Sequence, residues 1–210
     1  RGGPDLVLIL SGDHIYQMDY DPMIEFHLDH GAELTIATLR VRAEETHRFG
    51  ILQADNDYRV HEFIEKPTTS NDAVASMGVY IFQREALNRA LLIDADRPES
   101  THDFGADIIP RMISEGARVF AFPYSGYWVD VGTLESYWQA HMDLLVSPPR
   151  FRLNDRSWVV HTKSEERPPV MIHSGAVVRD SLIADGAVIS TGAVVEQSVL
   201  SPGVYVGPDA

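Results

Sequence analysis

The chain contains no cysteine. That excludes a disulfide framework and any zinc site built on thiolates, without fixing a compartment. It has no apolar run of about 18 residues, so no transmembrane helix is expected, and no signal peptide is visible. Basic residues are scarce: 17 Lys and Arg stand against 31 Asp and Glu, for a formal net charge of −14. So acidic a chain argues against nucleic acid or an anionic membrane as partner. An anionic substrate then needs a local basic pocket or a metal ion. There is also no Walker A pattern or other Gly-rich phosphate loop. The chain begins with Arg1 rather than Met and enters a strand almost at once, so an internal fragment of a longer protein is expected.

What is present begins with Leu6 to Tyr20, LVLILSGDHIYQMDY. Five apolar residues, Leu6 to Leu10, predict a strand buried on both faces, as in a parallel sheet. Gly12 permits a tight exit and leaves Asp13 at the strand's carboxyl end, the edge where open α/β sheets bind ligands. A carboxylate there suits a divalent metal or a metal-bound phosphate. Asp21 and Pro22 predict the N-cap and first position of a helix, and Gly31 its end.

Further along, Leu34 to Val41 predicts a strand, and 50–52 with 60–65 an antiparallel pair around the turn Asp55-Asn56-Asp57. Ser76 to Phe82 predicts another strand. Helices are expected over 84–93 and around 108–113, and strands over 119–122 and 128–131. Thr133 caps a helix reaching about Val146, with Leu134, Tyr137, Trp138 and Leu145 facing inward. Strands alternating with helices give an α/β layer. Pro148-Pro149 stops the last helix, and the polar stretch 148–169 reads as a linker between a domain over 1–147 and a second over 170–210.

The second region repeats. Aligning 172–188 with 189–205 gives seven identities in 17 positions. Aliphatic residues recur at Ile172, Val178, Ile183, Ile189, Val195, Leu200 and Val206, and Gly175 and Gly186 match Gly192 and Gly203. A unit this short cannot bury its own apolar face, so stacked coils of a β-solenoid are expected.

These stretches together resemble the bacterial and plant glucose-1-phosphate adenylyltransferases, or ADP-glucose pyrophosphorylases. The matching motifs are Gly12-Asp13-His14-Ile15-Tyr16, Phe49-Gly50, Glu62 to Pro67 (EFIEKP), Ala75 to Tyr80 (ASMGVY), His102-Asp103-Phe104-Gly105 and Tyr127 to Thr133 (YWVDVGT). The resemblance implies a Rossmann-like nucleotidyltransferase sheet, truncated at its N-terminal end, followed by the start of a left-handed parallel β-helix. It implies ADP-glucose and pyrophosphate made from ATP and glucose 1-phosphate in glycogen- or starch-type synthesis, with Mg²⁺, in a cytoplasmic, allosteric homotetramer. The N-terminal Gly-rich segment that holds the nucleotide in this family does not occur here, so the piece by itself is expected to be inactive. Val129 stands where the family often has Arg, which would weaken nearby phosphate contacts.

In that reaction a phosphate oxygen attacks the α-phosphorus in line, and no proton has to be removed. Catalysis then rests on positioning and charge neutralisation. The resemblance makes Asp13 and Asp130 the catalytic, metal-holding pair. It makes Lys66 the ligand of the sugar phosphate and Glu65 an acceptor for sugar hydroxyls. Ser76, Gly50, Tyr80, Asp103 and Trp128 complete the substrate-binding set. Pro67 biases Lys66 toward an extended backbone. His14 and His102 read as structural. A non-catalytic regulatory or assembly subunit of the same family, or a related sugar-1-phosphate nucleotidyltransferase, is the alternative. A hexapeptide-repeat acyltransferase is disfavoured, because His173 is the only His in the repeats.

Overall fold

The computed structural model describes residues 5–68, 73–163 and 165–210. The chain divides into two compact bodies. One runs to Gly12 and resumes over 17–126; the other joins 13–16 to 127–210.

The first body is a six-stranded mixed sheet in the order β5-β4-β6-β3-β7, with β1 beside β6. Its strands are β1 (Leu6–Leu10), β3 (Leu34–Val41), β4 (Gly50–Ala54), β5 (Val60–Glu65), β6 (Ala73–Gln83) and β7 (Val119–Pro123). Only β3 and β7 pair in parallel; the other pairings are antiparallel. β3 is buried without alternation from Leu34 to Thr38, because helices cover both faces. Leu34, Ile36, Val119 and Ala121 join Phe82, Ile108 and Ile109 in the main core, on the side of α2 (Arg84–Ala95) and α3 (Ile109–Ser114). On the other side, His27 of α1 (Asp21–Asp29) meets Thr35, and Phe26 packs edge-on against Phe120 and Phe122. Burying a side chain such as Phe82, fully enclosed here, is worth roughly 1.5–3 kcal/mol.

Two expectations are corrected in this body. β1 pairs antiparallel with β6, and Leu8 and Leu10 are exposed. Val7 and Ile9 pack against the main core while Leu8 and Leu10 project from the opposite, open face, so the strand is half-buried. At α1 the N-cap is Tyr20, not Asp21. The Asp19 carboxylate accepts the Asp21 N–H at 3.0 Å and opens the helix one residue earlier than expected.

The second body contains the short antiparallel ladder of β2 (His14–Tyr16) and β8 (Trp128–Asp130). Next comes α4 (Leu134–Met142), opened by a capping box between Thr133 and Ser136. The helix stops four residues short of the expected Val146, and Leu134 (89 % exposed), Tyr137, Trp138 and Leu145 are exposed rather than inward. Helical spacing marked the apolar positions without saying which face has a neighbour. The buried side holds Ala140 and Asp143, whose carboxylate accepts the Tyr127 hydroxyl at 3.0 Å.

Beyond α4 the repeat is expressed as parallel strands. β9 (Met171–Ile172), β12 (Val188–Ile189) and β15 (Tyr205–Val206) form one ladder, β10 (Val177–Arg179) with β13 (Val194–Glu196) a second, and β11 (Leu182–Ile183) with β14 (Val199–Leu200) a third. Every register joins residues 17 positions apart, such as Val177 with Val194 and Leu182 with Val199. Six of the seven recurring aliphatics point into one interior, where Ile189 and Val195 are buried among Val178, Ile183, Leu200 and Val206; Ile172, in β9, is exposed. Corners fall at matching positions of left-handed backbone, as at Gly186 (φ 77°) and Gly203 (φ 74°), where a side chain would be strained. No helix among the described residues is long and apolar enough to cross a membrane.

Candidate active site

The predicted site residues divide between the two bodies. Gly50, Glu65, Lys66, Ser76, Tyr80 and Asp103 belong to the first; Asp13, Trp128 and Asp130 belong to the second.

In the first body, the end of β5 is the centre. A Cβ on Gly50 would run into the Phe63 ring and the Glu65 carboxylate, and one on Gly105 would meet that same carboxylate. Two glycines therefore make room for Glu65. Gly50 was expected in the sequence; Gly105 was visible only as part of the HDFG motif. Asp103 builds the turn that carries Gly105. Its Oδ1 accepts the N–H groups of Gly105 and Ala106, both at 2.8 Å, and opens a single π-helical turn over Phe104–Ile108. Such turns are frequent at functional positions.

Ser76 donates to the Tyr80 hydroxyl at 3.3 Å, and the Gly78 N–H donates to Ser76 Oγ at 3.2 Å. Burial pushes the Tyr80 phenol above its ordinary pKa, the Ser76 hydrogen bond pulls it down, and the charges of Glu65 and Asp103 push it up again. The phenol therefore stays neutral and can donate a hydrogen bond. Tyr80 and Phe82 both lie against Phe104.

Lys66 closes β5 in a conformation the sequence did not suggest. Its φ is 46°, in the left-handed region, rather than extended. Its N–H donates to the Phe49 carbonyl at 3.1 Å, continuing the β4–β5 pairing while the chain turns away before Pro67. A non-glycine residue held there costs energy of order 1–3 kcal/mol, and such strain concentrates at working sites. Its side chain is 62 % exposed, and its ammonium stands 3.4 Å from Glu65 Oε1. In so acidic a chain, that is a cation presented to solvent beside the pair of glycines.

In the second body, β2 and β8 set Asp130 directly opposite His14 and Trp128 opposite Tyr16. The His14 ring meets Trp128 edge to face at 5.0 Å. The Val131 N–H donates to the Asp13 carbonyl at 3.1 Å, and the Gly132 N–H donates to Asp130 Oδ1 at 2.9 Å. Asp13, His14 and Asp130 each offer a ligand atom, and these atoms lie within 4.8 Å of one another. Two carboxylates at that spacing fit a hard divalent ion that keeps most of its remaining positions for water or phosphate oxygen. The Asp13 side chain is 63 % exposed, so that face is open to a ligand. From the sequence His14 reads as structural, because the reaction needs no proton transfer and no second ligand appears at metal spacing. The partner it lacked is 116 positions away and joined only by the ladder. His102, by contrast, donates from Nδ1 to the buried Asp94 carboxylate at 2.8 Å and braces the loop before the π turn.

Comparison with known proteins gives the family. The family model described as nucleotidyl transferase matches residues 1–147. A glucose-1-phosphate adenylyltransferase of Pseudothermotoga lettingae is 47 % identical over 207 residues, covering 99 % of this chain and 49 % of its own. That of Halalkalibacterium halodurans is 47 % identical over 204 residues, covering 97 % and 53 %. That of Geobacillus stearothermophilus is 46 % identical over 186 residues, covering 89 % and 48 %. The chain spans about half the length of the curated relatives it matches.

Proposed function

Because the chain belongs to the nucleotidyl transferase family, we propose that it is part of a glucose-1-phosphate adenylyltransferase, making ADP-glucose and pyrophosphate from ATP and glucose 1-phosphate. The observation that carries this reading is the identity with adenylyltransferases along nearly the whole chain. The geometry of the two bodies supports the assignment of roles.

An oxygen of the sugar phosphate attacks the α-phosphorus of ATP, and pyrophosphate leaves on the opposite side. The nucleophile is already anionic, so the protein supplies position and counter-charge rather than a base. Lys66 meets the phosphate of glucose 1-phosphate as a compact positive charge. Glu65, held against Gly50 and Gly105, accepts from the sugar hydroxyls. Ser76 contributes a hydroxyl and neutral Tyr80 a phenol. Asp103 keeps Gly105 in place, and Trp128 steadies His14. Asp13 and Asp130 are the residues that would hold Mg²⁺. When bound, that ion offsets the phosphate charge.

The 17-residue parallel ladders support a left-handed parallel β-helix; the hand comes from family resemblance, since general crossover rules favour the right hand. An allosteric homotetramer in the cytoplasm, serving glucan synthesis, belongs to the same reading. The test is kinetic: in the full-length protein, Lys66→Ala should impair use of glucose 1-phosphate far more than use of ATP. Equal impairment of both would reject the role of Lys66.

A further inference from the structure

We propose that His14 is a third protein ligand of the metal held by Asp13 and Asp130, and that its nitrogen tilts the site toward Mn²⁺ and Co²⁺ relative to Mg²⁺. The proposal rests on the assignment of Asp13 and Asp130 as the metal-holding pair.

The argument begins with the ladder. Residues directly opposite in an antiparallel pair share a face, so His14 and Asp130 project to the same side of β2 and β8. Trp128, two residues before Asp130, lies on that side too and fixes the imidazole edge to face at 5.0 Å. The His14 side chain is largely enclosed, while Asp13 is open.

The spacing matters next. His14 Nε2 stands 3.6 Å from Asp13 Oδ1, too far for a hydrogen bond. With metal–ligand bonds of about 2.1 Å, neighbouring ligand atoms stand roughly 3.0–3.4 Å apart and opposite ones about 4.2 Å. Three atoms within 4.8 Å reach that spacing by small side-chain rotations. The Gly132 N–H already orients Asp130, as outer partners of metal ligands commonly do.

Chemistry then sets the preference. Mg²⁺ favours all-oxygen surroundings, whereas imidazole favours first-row transition ions. Two carboxylates alone make an all-oxygen set that suits Mg²⁺ and Mn²⁺ alike and offers nothing to favour Co²⁺ by ligand type. Two carboxylates and one neutral imidazole make a mixed oxygen–nitrogen set, and affinity within it rises from Mn²⁺ to Co²⁺.

The experiment uses the full-length protein loaded with Mn²⁺ and read by pulsed EPR, beside calorimetric titrations with Mn²⁺, Co²⁺ and Mg²⁺. The unmodified protein should show nitrogen coupling to bound Mn²⁺, and His14→Gln should abolish it. His14→Gln and His14→Phe, the second keeping a ring against Trp128, should each weaken Co²⁺ binding at least tenfold while changing Mg²⁺ binding less than threefold. Absence of nitrogen coupling in the unmodified protein overturns the proposal, whether or not either variant folds. So does unchanged Co²⁺ affinity in both variants. In that case, loss of all metal binding in Asp13→Asn and Asp130→Asn would leave the carboxylate pair standing without His14. Unchanged binding in those two variants would reject the carboxylate pair itself.

Discussion

Asp130 lies directly across the β2–β8 ladder from His14, although 116 positions separate them in the chain. A two-stranded ladder of three residues per strand has little stability by itself. This one is held at its ends, by the Val131 N–H donating to the Asp13 carbonyl and by the start of α4 immediately after Gly132. The carboxylate's position therefore depends on the helix cap that follows it.

That dependence can be measured. Thr133 Oγ1 accepts the Ser136 N–H at 3.1 Å, and Ser136 Oγ accepts the Thr133 N–H at 3.2 Å. Thr133→Ala removes one arm of the box and should cost about 1 kcal/mol of unfolding free energy. Thr133→Ser should cost much less. Denaturant titrations of the two variants decide this, and equal losses would mean that the methyl group, not the cap, matters.

A second prediction concerns pH. His27 is buried, its Nδ1 lies 2.8 Å from Thr35 Oγ1, and burial lowers its pKa from 6.5 to about 4. The unfolded chain therefore takes up this proton first as pH falls. The contribution is complete above pH 6.5 and is lost progressively down to about pH 4. A shift of that size amounts to at most about 3 kcal/mol. His27→Asn, which keeps a polar group near Thr35, should flatten the dependence of stability on pH across this window. Parallel stability curves for the two proteins would contradict the assignment.

The third prediction tests the room made for Glu65. Gly105→Ala places a methyl group against its carboxylate. The carboxylate is the mobile end of a half-buried side chain, so it should move while the fold persists. The KM for glucose 1-phosphate should rise about tenfold, equivalent to about 1.4 kcal/mol, with little change in the melting temperature. A large fall in melting temperature instead would show that the glycine serves packing and not substrate.

Much of the fold was legible. β3 was read to the residue, because its alternating pattern is bounded by polar stretches. The β4–β5 hairpin announced itself through Asp55-Asn56-Asp57, and the parallel ladders of the second body through a 17-residue repeat visible when the sequence is aligned with itself. What failed was what depends on neighbours. Leu6 to Leu10 looked buried on both faces, yet how many faces are covered is decided by what packs above and below the sheet, and only the side of Val7 and Ile9 meets the core. The apolar side of α4 was recognised, but not that Leu134 and Tyr137 lack a cover. At the site, the family motifs marked Glu65, Lys66, Ser76, Tyr80 and Asp103. They did not reveal the left-handed turn at Lys66, because Pro67 makes extended backbone the ordinary expectation there. Nor did they reveal His14 beside Asp130, since three-residue strands are too short to carry a periodic signal.

Lys66 offers the most direct test of the whole account. Its strained φ of 46° is shared by any residue with a Cβ, so Lys66→Ala removes the ammonium without changing the backbone demand. Loss of a charge-assisted contact to phosphate is worth about 1.5–3 kcal/mol. Steady-state kinetics of the full-length variant should therefore show the KM for glucose 1-phosphate raised roughly 10- to 150-fold, with the KM for ATP within about threefold of the unmodified protein. Unchanged use of glucose 1-phosphate, or an equal loss for both substrates, would contradict the account.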